Sequence, residues 1–149
     1  DLAREVDRAV RGCAPGLAFA RVRWVAEDAD PVAPVPTFPL DLEFVLHELV
    51  VNAVEAQVEA GGDGPELRTR VAPAADGRVE VRVSDRAAPL PPGVADDLNE
   101  GREFGPSEGR GFGLSLARRV AHGIGGRLEV APTADGNAVT LSLPVAARG

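Results

Sequence analysis

The stretch "LHELVVNAVEA", residues 46–56, decides the fold. Leu46, Leu49, Val50, Ala53 and Ala56 recur three and four apart, the period of one helical face. The pattern extends back through Val45 to Leu42 and predicts a helix over residues 42–60, with Asp41 placed to cap it. The cluster Gly61-Gly62-Asp63-Gly64-Pro65 ends it. On the same helix Glu48, Asn52 and Glu55 or Gln57 are polar residues three to five apart. Glu48 and Asn52, separated by four, stand one above the other on one face. A carboxylate and an amide oxygen so held can share a divalent cation or orient a water. Taken alone, a solvated helix face is the commoner fate of such a pair.

Upstream, residues 1–11 put Leu2, Val6, Ala9 and Val10 on one helical face, with Gly12 able to close the helix. "LAFARVRWV", residues 17–25, alternates and predicts a strand. Prolines 31, 34, 36 and 39 then make an extended loop. Downstream, alternation predicts strands over residues 66–71 and 78–84, joined at Asp76-Gly77. Residues 86–111 are rich in proline, glycine and charge, and only residues 95–99 suggest a helical turn. A connection that long inside a compact domain usually has a function. A second amphipathic helix is predicted over residues 112–122, closed near Gly123 to Gly126. Strands over 127–130 and 138–145 form a hairpin about Asp135-Gly136-Asn137. Three helices and five strands, with hairpins outnumbering crossovers, predict an α+β fold: a two-layer α/β sandwich in which helices cover one face of a mixed, mostly antiparallel sheet.

Composition narrows the classes. The 149 residues form one domain, long enough to bury roughly 70% of the unfolded chain's surface. With 16 basic and 23 acidic residues the net charge is −7, which argues against a nucleic-acid surface. No apolar run approaches the length of a membrane span, so no direct membrane contact is expected. One cysteine, Cys13, excludes an internal disulfide and fits a reducing compartment. Without an initiating Met, the chain reads as a fragment of a longer protein. Two histidines and one cysteine, scattered, make no metal-ligand set, and no strand–G-x-S-x-G–helix pattern supports a serine hydrolase.

Two further blocks carry chemistry. "GRGFGLSLARR", residues 109–119, sets Gly109, Gly111 and Gly113 at alternate positions before a helix start. Glycine N–H groups can approach an anion closely, and the helix N-terminus adds partial positive charge. "VSDRAAPLPPG", residues 83–93, ends a strand in Asp85, whose carboxylate could accept from an exocyclic amine such as that of adenine. An acid closing a strand into a turn is the plainer reading.

In this order and spacing the blocks resemble the GHKL ATPase superfamily, most closely the catalytic, ATP-binding domain of bacterial sensor histidine kinases with the Bergerat fold. "LHELVVNAVEA" resembles the N box, "VSDRAAPLPPG" stands where the G1 box belongs, "EFGP" resembles the F box and "GRGFGL" the G2 box. "GGRLEV" and the closing "LSLPV" also resemble the family, and the Asn-Ala-Val-Glu-Ala run is most like the nitrogen-regulator type. The resemblance implies a single domain over residues 1–149, binding ATP and Mg²⁺. Asn52 would hold Mg²⁺ against the phosphates, and Glu48 would orient or activate the attacking group. Asp85 would receive the adenine amino group. Gly109, Gly111 and Gly113, with Leu114, would form the phosphate-side turn and helix start. Residues 94–108 would be a lid anchored by Phe104. It further implies a histidine-bearing dimerisation domain outside this chain, a response regulator as partner, and a cytoplasmic location, alone or as part of a membrane-bound sensor.

One block departs from the family pattern. The G1 box is Asp-x-Gly-x-Gly, and here it reads Asp85-Arg86-Ala87-Ala88-Pro89. If Ala87 had to adopt positive φ, the strain would cost on the order of 1 kcal/mol, and Pro89 can neither take positive φ nor donate an N–H. A loss of about 1–3 kcal/mol would weaken nucleotide binding roughly 5- to 150-fold. That leaves open a degenerate module that binds a response regulator or partner kinase. A serine kinase of the anti-sigma type shares the fold. His47-Glu48-Leu49 also resembles a phosphoacceptor site, although a packing or hydrogen-bonding histidine is the expectation there.

Overall fold

The computed structural model of the chain describes residues 1–27, 30–36, 38–62, 64–105 and 112–146. Five strands, β1 (Arg23–Ala26), β2 (Glu66–Pro73), β3 (Val79–Asp85), β4 (Arg127–Pro132) and β5 (Asn137–Leu143), form one sheet in the order β1-β2-β3-β5-β4. β1 runs parallel to β2, and the remaining pairs are antiparallel. Alternation gives the sheet two faces. Leu67, Val71, Val81, Val83, Leu128 and Leu141 are buried with the helices, while Arg68, Arg70, Arg82 and Glu129 are exposed on the other side. The expected two-layer α+β sandwich is what the chain forms.

The helices number five among the described residues: α1 (Leu2–Gly12), α2 (Ala14–Ala20), α3 (Pro39–Ala60), α4 (Pro92–Glu100) and α5 (Phe112–Gly123). α3 lies centrally, packed on β2 and β3 and flanked by α1, α2 and α5, while α4 and α5 cover β4. Gly61 ends α3 at φ 61°, its N–H donating to the Gln57 carbonyl. The start of α3 is three residues earlier than expected. Pro39 begins it, because its missing N–H falls where a helix needs none, so Asp41 lies within the first turn and Phe38 occupies the cap. α1 likewise continues through Gly12, and Cys13 caps it.

Two expectations are corrected. Residues 17–25 are not one strand: residues 14–20 are helical and only Arg23–Ala26 is extended. Pro15 sits in the first turn of α2, where its missing N–H is not needed, and buried Leu17 anchors the helix. Arg21 then adopts φ 55°, which lets the Val22 N–H reach back to the Leu17 carbonyl at 2.9 Å and reverses the chain. The proline-rich segment after β3 also contains a whole helix, α4. Its prolines precede or begin the helix, and Ala95 and Leu98 are buried.

Candidate functional site

Val45, Leu46, Leu49, Val50 and Ala53 are each at most 2% exposed, which fixes the rotation of α3. Glu48 and Asn52 consequently sit on a half-buried flank. Glu48 Oε2 reaches the first turn of α5: a Cβ built on Gly113 would lie 2.8 Å from it. Gly113 has no left-handed φ, so its lack of a side chain matters here for space. Burial, first of all, raises the Glu48 carboxyl above its ordinary value; the charge of His47 opposes this and that of Glu55 adds to it. Burial also raises the thiol of free Cys13, and the charge of Glu48 contributes. His47 itself, expected as a packing or hydrogen-bonding residue, is exposed and makes no hydrogen bond among the described residues.

Asp85 ends β3 with 6% exposure, and its Oδ1 accepts from the Ala87 N–H at 2.8 Å. Ala87 is buried without positive φ, so the strain considered for a glycine-free turn is absent. Gln57, from the last turns of α3, supports the same region. Its Oε1 accepts from the backbone N–H groups of Glu66, at 2.7 Å, and Arg86, at 3.3 Å.

Phe104 is buried beside α5. The Ser115 hydroxyl accepts from its N–H at 3.3 Å and donates to its carbonyl at 3.4 Å. The Arg102 guanidinium stacks 4.4 Å from the ring centroid, and Glu103 pairs with Arg119. Leu114 is 1% exposed and belongs to the core, so only its backbone is available to the α5 start. Of the expected lid, residues 94–105 are described, and α4 fills most of them. Asn99 ties this helix to the sheet edge, donating to the Val130 carbonyl and accepting from the Val130 N–H, both at 2.8 Å. Gly109, Gly111 and residues 106–108 of the expected lid lie outside the described residues.

The arrangement brings Glu48 and Phe104 together at the α5 start, while Asp85 lies at the end of β3. Sequence reasoning missed Ser115, Asn99 and Asn137, because their bonds are to backbone groups brought near only by the fold. The family profile described as "Histidine kinase-, DNA gyrase B-, and HSP90-like ATPase" matches residues 38–147. The chain belongs to this family. Across its whole length it is 31% identical to the C4-dicarboxylate transport sensor protein DctS of Rhodobacter capsulatus. It is 32% identical to the sensor protein FixL of Bradyrhizobium diazoefficiens over 72% of the chain. It spans 23% and 21% of the lengths of these relatives. Among solved structures, the catalytic domain of histidine kinase ThkA matches 97% of this chain and 92% of its own, with a TM-score of 0.75 and 19% identity. The ATP-binding domain of PrrB from Mycobacterium tuberculosis matches 99% and 96%, with a TM-score of 0.74 and 20% identity. These likenesses establish the histidine-kinase ATPase fold. Among the described residues no helix is long and apolar enough to cross a membrane.

Proposed function

We propose that residues 1–149 are the ATP-binding catalytic domain of a two-component sensor histidine kinase. The domain moves the γ-phosphoryl group of ATP to a histidine on a dimerisation domain, and a response regulator receives it next. The reaction places the domain in the cytoplasm, where ATP is available. The observation that carries the reading is the meeting of Glu48 with Gly113, which joins the acid of one sequence block to the helix start of another.

In this reading Asp85 accepts from the adenine amino group, and Gln57 and the Ala87 N–H hold its turn in place. Gly109, Gly111 and Gly113, with the Leu114 backbone, offer N–H groups and the positive end of α5 to the phosphates. Residues 94–108 form the lid, anchored by Phe104. Glu48, its carboxyl raised by burial, is tuned toward accepting a proton from the attacking imidazole. Hard oxygen donors suit Mg²⁺, and the Asn52 amide oxygen, on the half-buried flank of α3, supplies one. Bound at Asn52, Mg²⁺ would neutralise phosphate charge. The remaining contribution is positioning.

The missing glycines favour the degenerate alternative, but the turn has no positive φ at Ala87, so backbone strain there does not add to the case for it. Calorimetric titration with a non-hydrolysable ATP analogue, with and without Mg²⁺, tests the reading beside Asn52→Ala and Asp85→Asn. Magnesium-dependent binding weakened in both variants is the expected result. Absence of binding by the wild type up to millimolar ligand would refute it.

A further inference from the structure

Asn137 opens β5 directly opposite Asp85 in the β3–β5 ladder. Its side chain is turned onto the segment that follows Asp85. Oδ1 accepts from the Leu90 N–H at 2.9 Å, and Nδ2 donates to the Ala88 carbonyl at 3.0 Å. One amide thus satisfies a donor and an acceptor of the same loop, as a neighbouring strand would. Asn137 is 2% exposed, so both bonds are sheltered from competing water.

The residue before it makes the approach possible. A Cβ on Gly136 would fall 2.2 Å from the Asp85 carbonyl oxygen and 2.9 Å from the Arg86 Cα. The β4–β5 hairpin therefore lies backbone to backbone on the turn, which no other residue at position 136 permits without displacing it. Pro89 restricts the loop at its far end.

We propose that Asn137 is a positioning residue for nucleotide recognition: by holding Ala88 and Leu90, it sets the glycine-free turn so that Asp85 selects a purine bearing an exocyclic amino group. This rests on the assignment of Asp85 to the base. With Asn137 in place, the Ala87 N–H stays on Asp85 Oδ1 and the carboxylate keeps one orientation. Without it, residues 86–90 lose two of their cross-connections, and the carboxylate is no longer held for a directed hydrogen bond.

The test is titration of the protein with Mg²⁺ and non-hydrolysable analogues of ATP and of inosine triphosphate, which carries oxygen in place of the amino group. Asn137→Ala and Asn137→Asp are compared with wild type, with thermal melts in parallel. The wild type should prefer the adenine analogue by about tenfold or more. In Asn137→Ala that ratio should fall by about tenfold, with affinity for the inosine analogue changed by less than about threefold. Equal weakening for both analogues would mean a purely structural role and would overturn the proposal. Asn137→Asp has nearly the same shape, keeps the acceptor for Leu90 and sets an oxygen against the Ala88 carbonyl. If the alanine variant does not fold, this variant decides: a reduced ratio supports the proposal and an unchanged ratio overturns it. A wild type that binds with no preference for adenine would overturn the assignment of Asp85 and the proposal with it. A preference that survives in both variants would overturn the proposal alone.

Discussion

Glu48 Oε2 occupies the space beside Gly113 where a side chain would begin, 2.8 Å from the position of its Cβ. The two residues come from different helices, and α3 and α5 pack against each other along this line. Gly113→Ala introduces no backbone strain, because φ there is not left-handed, and alanine favours a helix by up to about 1 kcal/mol. The carboxylate, a flexible end, must move instead. Melting temperature should therefore hold or rise, while phosphoryl transfer to the acceptor domain falls by about tenfold or more. Parallel melts and phosphohistidine assays check this; a loss of both stability and activity would count against it.

Glu48→Gln should separate stability from activity. Burial raises the native carboxyl above 4.5, its ordinary value, so the native state holds the proton more tightly than the unfolded chain. The favourable contribution is complete below pH 4.5 and is lost as pH rises through the elevated native value. A glutamine carries no such penalty. The variant should be more stable than wild type at pH 7, with the advantage vanishing in acid, while transfer drops by about 10²- to 10⁴-fold. Urea unfolding at several pH values, beside activity assays, reads both effects.

Glu66 behaves in the opposite sense. Although on the outer face of the sheet, its side chain is only 2% exposed beneath Arg23, Arg68 and Arg86. Hydrogen bonds from Arg23 and then Arg68 lower its carboxyl from 4.5 to about 2. Its contribution is present above pH 4.5 and disappears as pH falls toward 2. Glu66→Gln should lower the melting temperature at pH 7 and flatten the acid limb of the stability curve. A variant that melts with the wild-type pH profile would show that the three arginines contribute nothing through this carboxylate.

Asn99→Ala removes both hydrogen bonds between α4 and the edge strand β4. A global cost of about 1–2 kcal/mol is expected. Local opening should be more sensitive: amide exchange in residues 92–100 should accelerate well before that of β3 and β5. Uniform acceleration across the sheet would mean that Asn99 supports the whole fold and not α4 alone.

The helix over the opening stretch was legible because a 3.6-residue period and a glycine stop are local signals, and β2, β3, β4 and β5 were legible as alternating runs. Residues 17–25 misled for the same kind of reason. Their alternation is genuine, but Pro15, the left-handed Arg21 and the seat for Leu17 make a helix of the first half. α4 was hidden by prolines that start a helix as readily as they break one.

For the site, chain order and residue type alone determined the family resemblance and the flank of α3 that carries Glu48 and Asn52. Only the tertiary structure decided that Glu48 meets Gly113, that Ser115 grips Phe104 and that Asn137 faces Asp85. Those pairings depend on helix packing and strand register, which join residues far apart in the chain. They involve backbone groups that every residue possesses, so no spacing in the sequence marks them.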